Sequence, residues 1–265
     1  MPHSSRKKKP IPQKRLQVTD DHGWTHVTTT RHARRAVHQN NANANANNTN
    51  NTDANTDNGN EAEIKLPPAE PPRGLTLTEL TEQFAFHRAR WESSATYAAV
   101  RRELENHQHH TAPADITSII CIGLGSPSGF LRGGWVDRRS VSMYQLAALA
   151  TVSDFFEVNV CAQDPVFNTL DKQLLETLSI RAVDHPAAFE LVNESSLLFC
   201  PGAEKSHLER LLPRSPALVF GGPLESTDSI VLDTFLQGVG SLKLPVFEEL
   251  EHAFWNMRLY WRINE

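Results

Sequence analysis

The chain has 265 residues, 39% of them apolar, and a formal net charge of −5. That charge is the sum of +7 over residues 1–40, nine Lys or Arg against two Asp, and −12 over the remainder. A folded part this acidic argues against a nucleic-acid-binding domain, and no apolar run reaches the ~18 residues of a membrane span.

The first element is the basic block "RKKKPIPQKR" (6–15), read either as a nuclear-import or nucleic-acid contact or as a solvated tail. "MPHSSRKKKP" carries no apolar h-region of a secretory signal. Cys121, Cys161 and Cys200 lie far apart in apolar runs with no CxxC pairing, so zinc and redox motifs are not expected. The expectation is a reduced protein of cytoplasm and/or nucleus, with no membrane contact and no metal. Residues 40–60 hold eleven Asn and no large apolar side chain. Such a stretch buries too little surface to offset an ordering cost of about 1–2 kcal/mol per residue. Residues 1–72 are therefore expected to be a disordered tail, with "LPPAEPPRG" as a hinge, and residues 73–265 a single domain.

Residues 74–107 read as one or two helices. Thr76 and Glu79 make a capping box, and Leu80, Phe84, Phe86, Trp91, Tyr97, Val100 and Leu104 form apolar stripes near helical spacing. The pattern then changes. Strands are expected at Ile119–Leu124, Val158–Ala162, Ile180–Val183, Ser196–Cys200 and Ala217–Phe220. Helices are expected at Ser142–Phe155, Leu170–Leu178, Glu204–Leu212 and Ser226–Leu236, with Ser142 and Gln145 as a second capping box. "MRLYWRI" reads as a last strand at a sheet edge. Continuously apolar strands alternating with helices imply parallel pairing with both faces covered. The expected fold is a three-layer, Rossmann-like, mostly parallel α/β sheet with helices on both faces.

Ligands of such sheets bind at the carboxyl ends of the strands. In "SIICIGLGSPSGF" the loop after Leu124 is at such an end, with Gly123, Gly125 and Gly129 in G-x-G-x-x-x-G spacing. A dinucleotide fingerprint needs the third glycine one residue earlier, where Ser128 stands, and a helix beginning at once. The triplet of a Walker A loop is absent. An S-adenosylmethionine or nucleotide site would use Gly123, Gly125 and Ser126 with Asp164 at the end of the second strand. The alternative is that the glycines only permit a tight turn. "LRGGWVDRR" lengthens this loop, and its Arg132, Arg138 and Arg139 suit an anion. The histidines of "HQHH" (107–110) are expected in solvent, His185 in a loop, and His207 at the surface near Glu204. Neither a GxSxG elbow nor an HExxH pair occurs.

"ICIGLGSPSG", "SVSMYQLAAL", "CAQDPVFNTLDKQLLETLSI" and "LFCPGAEKSHLERLL", in this order, resemble the SRR1-like proteins (sensitivity to red light reduced), as does "DHGWTHV" after the basic tail. The resemblance spans roughly residues 75–265. It implies an intracellular regulatory protein of the kind tied to light and circadian responses or haem metabolism, with no reaction securely attached. The chain departs from that pattern at Pro201-Gly202-Ala203, where Pro-His-Cys is common, and at Gly221-Gly222, where Gly-Asn is common. It also departs at Phe254–Arg258, where Phe-Asn-Asp-Thr-Ser is common. The polar set that survives is Gly123, Gly125, Ser126, Gln145, Asp164 and Asp171. The sequence thus points to a regulatory protein acting through protein partners, without catalysis and without a resident cofactor. Gly123, Gly125, Ser126, Asp164 and Asp171 mark its candidate pocket, and nucleic acid could meet only the basic tail. The alternative is an enzyme of S-adenosylmethionine or nucleotide type at the same residues.

Overall fold

The computed structural model describes residues 15–19, 25–29, 67–110, 116–130, 138–225 and 228–263. Residues 1–62 and 63–265 are separate units. In the first, β1 (Arg15–Thr19) pairs antiparallel with β2 (Thr25–Thr29), Arg15 opposite Thr29. The Asn-rich stretch 40–60 lies outside the described residues.

The second unit opens with α1 (Leu77–Glu92) and α2 (Ala95–His110). The expected capping box forms: the Thr76 hydroxyl accepts from the Glu79 amide, and the Glu79 carboxylate accepts from the Thr76 amide. Leu80, Phe84 and Trp91 fall on the buried face, whereas Phe86 lies off that stripe and is 55% exposed. The alternation then follows: β3 (Ser118–Ile122), α3 (Arg139–Phe156), β4 (Asn159–Gln163), α4 (Thr169–Thr177), β5 (Ile180–Ala182), β6 (Ser196–Cys200), α5 (Lys205–Leu211), β7 (Leu218–Gly221), α6 (Ile230–Gln237), β8 (Val239–Lys243) and β9 (Arg258–Arg262).

The sheet order is β5-β4-β3-β6-β7-β9-β8. The first five strands are parallel; β9 runs antiparallel between β7 and β8. Successive residues of β3 face opposite layers. Ile119 and Cys121 meet a core shared with α1, α2, α3 and α4. Ile120 and Ile122 meet one shared with α5, α6 and the turn Ala187–Leu191. The three-layer α/β expectation is the observed architecture.

Some local expectations are corrected. β9 is an interior strand rather than an edge, because β8 covers it. β8, "VGSLK", has no continuous apolar run and no buried residue, with Ser241 and Lys243 exposed, so its pattern does not announce a strand. α3 starts at Arg139, a turn before Ser142. Ser142 and Gln145 are therefore buried inside the helix rather than forming a cap, and the Gln145 amide donates to the Ala253 carbonyl at 2.8 Å. His107 is not in solvent; its ring lies 4.4 Å from that of Trp261.

Candidate functional site

The strand order reverses between β3 and β6, and that switch point is where an open α/β sheet admits a ligand. Here it is shut. Gly123 has φ +77°, which glycine alone adopts freely. A Cβ built on Gly123 would stand 2.6 Å from the Gly202 carbonyl carbon, and one on Gly202 would stand 2.5 Å from the Gly123 oxygen. The loops after β3 and β6 thus touch backbone to backbone, with no side chain between them.

The remaining signature residues bind one another. Asp164, directly after β4, accepts the Gly125 amide at 2.7 Å and the Val166 amide at 3.0 Å. Burial pushes its carboxyl above the ordinary range, more than those two amides pull it down. Asp171 is fully buried in the first turn of α4. Its oxygens accept the Ser126 hydroxyl at 2.6 Å, the Ser128 amide at 2.8 Å and the Asn168 amide at 3.0 Å. Asn168 completes the α4 capping box and contacts the Ser128 hydroxyl. The Ser126 oxygen in turn accepts the Gly129 amide at 2.8 Å.

Gly123, Gly125, Ser126, Asp164 and Asp171 are therefore brought together, but onto each other rather than around a cavity. The loops after the adjacent strands β3 and β4, 123–130 and 164–171, are locked by short hydrogen bonds of side chains to backbone amides and to one another. An extended segment lies across this latch. Ala69 donates its amide to the Val166 carbonyl at 2.8 Å, and its own carbonyl accepts the Asn168 side-chain amide at 3.0 Å. Glu70 and Phe130 exchange backbone bonds of 2.9 and 3.0 Å. Residues 67–72, expected to be part of a hinge, are pinned at their centre.

Of the three arginines assigned to an anion, Arg132 lies outside the described residues. Arg138 stands at the N-cap of α3, and Arg139 donates to the Pro127 carbonyl and to Gln83.

The model of the SRR1 domain matches residues 100–261, more than half of the chain. The chain belongs to the SRR1 family. A search of the curated proteins finds no match. The SRR1 region contains both latched loops and the large sheet up to Trp261 in β9, and it begins within α2. The segment 67–72 and α1 precede it.

Sequence reasoning missed a second polar group at the carboxyl edge of this SRR1 fold. The Gln163 side-chain oxygen accepts the Ala188 amide at 3.0 Å, so its nitrogen faces the His185 Nδ1 at 2.8 Å. His185 thereby presents the lone pair of Nδ1 to Gln163. The His185 and His207 rings are 6.2 Å apart, both edge-on to Phe189, and the Arg210 guanidinium lies over that ring at 4.6 Å. His207 joins this cluster while its backbone amide donates to the Glu204 carbonyl, and it offsets a small part of the rise that burial causes at Asp164. No fixed spacing links Gln163, His185 and His207, so the pattern offered no signal. Among the described residues no group of three His, Cys, Asp or Glu could hold a metal ion, and no helix is long and apolar enough to cross a membrane. A groove of about 190 Å³ between α1, α2 and α3 is lined by Arg88, Tyr97, Arg101, Thr151, Asp154 and Phe155. It is smaller than the ~300 Å³ at which small-molecule pockets begin.

Proposed function

We propose that this SRR1 protein is an intracellular regulator that acts through protein partners and performs no reaction at its carboxyl edge. One observation carries the reading. The acid and hydroxyl groups a catalyst would need, buried Asp171 and Ser126 and half-buried Asp164, are bonded to each other and to backbone amides. The switch-point crevice is closed by the Gly123–Gly202 contact. A general acid or base has to reach a substrate proton within hydrogen-bond distance, and Asp171, with no exposed surface, has no such reach. Affinity capture with the full chain, followed by reconstitution from the purified partner, tests this reading. A stable stoichiometric complex is the expected result. Robust turnover of a small molecule by the isolated chain overturns it. The basic block 6–15 supports cytoplasmic and nuclear distribution. A tagged chain lacking those residues is then expected to lose its nuclear fraction. The same positive tail is the one region suited to nucleic acid. Any such binding falls steeply with salt and disappears when residues 1–40 are removed.

The S-adenosylmethionine or nucleotide reading keeps one specific observation. Counted from β3, the sheet order is 3-2-1-4-5-7-6 with an antiparallel last strand, and Asp164 follows the second strand. That is also the order of the methyltransferase sheet, a likeness of fold alone. Thermal-shift titration with S-adenosylmethionine, NAD(P) and ATP decides it. A ligand at 100 times its Kd would stabilise the fold by about 2.7 kcal/mol. We expect no shift with any of the three.

A further inference from the structure

We propose that the two latched loops form a binding site for an extended, proline-flanked peptide, and that residues 67–72 of the same chain hold this site shut. The inference deepens the partner reading above by naming what a partner would present.

The segment "PPAEPP" already sits as such a peptide would. Pro67, Pro68, Pro71 and Pro72 restrict it to an extended conformation, so little entropy remains to be lost on docking. Its central residues meet the loops mainly through backbone. Val166 offers a carbonyl to the Ala69 amide, Asn168 offers its side-chain amide to the Ala69 carbonyl, and Phe130 offers a carbonyl and an amide to Glu70. This is the pattern of a strand added to a free backbone edge, in which main-chain bonds supply affinity and a side-chain pocket supplies selectivity. The pocket is small. Ala69 is 3% exposed, against Gly129. A Cβ on Gly129 would come within 2.9 Å of the Ala69 methyl and 3.0 Å of the Asn168 side-chain nitrogen. One methyl group fits there, so the site selects Ala, Ser or Gly at its centre. The flanking residues 67, 68, 70 and 71 are exposed and can be exchanged without disturbing the core.

The strap is joined to α1 through only residues 73–76, among which Gly74 has φ +82° and no neighbour where a Cβ would be. A tether this short holds the strap at an effective concentration on the order of millimolar. A partner peptide at micromolar concentration therefore loses to it until the strap is pulled away.

Two full-length variants test the proposal. Ala69→Arg puts a long side chain where one methyl fits, and Glu70→Pro removes the amide that bonds to Phe130. In each, hydrogen exchange is followed at the Phe130 amide and in β3 and β6. A fluorescein-labelled peptide of residues 66–73, LPPAEPPR, is titrated by anisotropy beside a control carrying Arg at its centre. Both variants are expected to lose protection at Phe130 while β3 and β6 keep theirs. They are expected to bind LPPAEPPR at least about 10-fold more tightly than the unaltered chain, and not to bind the control. Released variants that ignore LPPAEPPR overturn the proposal. So does Phe130 protection that neither substitution changes, and so does loss of β3 protection in both, since a segment needed for the sheet cannot exchange. If LPPAEPPR fails while the unaltered chain still forms a complex with its partner, this proposal falls and the partner reading stands. The reverse pair of results separates them the other way.

Discussion

Asp171 gathers more of the loops' hydrogen bonds than Gly125, Ser126 or Asp164, and its removal is the severest test of the latch. Asp171→Ala leaves the buried Ser126 hydroxyl and Ser128 amide, and the half-buried Asn168 amide, without their acceptor. Each buried group costs about 1–3 kcal/mol, so a loss of at least about 2 kcal/mol is expected from urea unfolding. Asp164 differs because it carries its charge at a cost. Burial holds its carboxyl above the usual 3.8 despite two amide donors. A raised folded value means that its contribution to stability is full below pH 3.8 and is lost as pH rises from there through the higher value of the folded state. Asp164→Asn removes this loss, so the stability difference between variant and parent shifts in the variant's favour as pH rises from 3.5 to 7. A constant difference across that range contradicts the assignment. At Gly202 no charge is involved. Gly202→Ala drives a methyl into the Gly123 carbonyl, and a loss of about 1–3 kcal/mol is expected from the same unfolding measurement.

At the scale of elements, caps and periods explain what was legible beforehand. Thr76 and Glu79 stand alone at a helix start, and the box is local, so four residues of sequence suffice to read it. Thr76→Ala is expected to lower stability by about 1 kcal/mol in thermal unfolding. Ser142 and Gln145 show the same spacing and fail, because α3 is extended by Arg139–Val141 and sandwiched between the sheet and α1. Burial from Ser142 to Val152 overrode a local signal. Likewise β6, buried along its whole length, was legible as an unbroken apolar run, whereas β8, half-exposed with Gly240 and Lys243, was not.

Within the second unit, one seven-stranded sheet couples these pieces. Cys161, Cys121 and Cys200 stand on β4, β3 and β6, three adjacent strands, and all are buried and free. Burial raises all three thiols, Cys121 well above the ordinary range and Cys200 to about 12. A thiol reagent needs both access and thiolate. The folded chain is therefore expected to show no fast-reacting cysteine, and labelling of all three at one common rate, set by unfolding of the sheet. A single cysteine reacting fast in the native protein contradicts this arrangement.

The sequence by itself determined the layers, because alternating buried strands and amphipathic helices are local patterns with a fixed physical period. It also marked the glycines, serines and aspartates of the loops as a related set. Only the tertiary structure decided what that set does. Whether Asp164 and Asp171 face a ligand or a neighbouring amide depends on how two loops about 40 residues apart approach each other. Whether the switch point is open depends on Gly123 meeting Gly202, and the strap across the two latched loops depends on Ala69 reaching Val166 and Asn168. Such contacts are set by packing between distant segments, and no spacing along the chain encodes them.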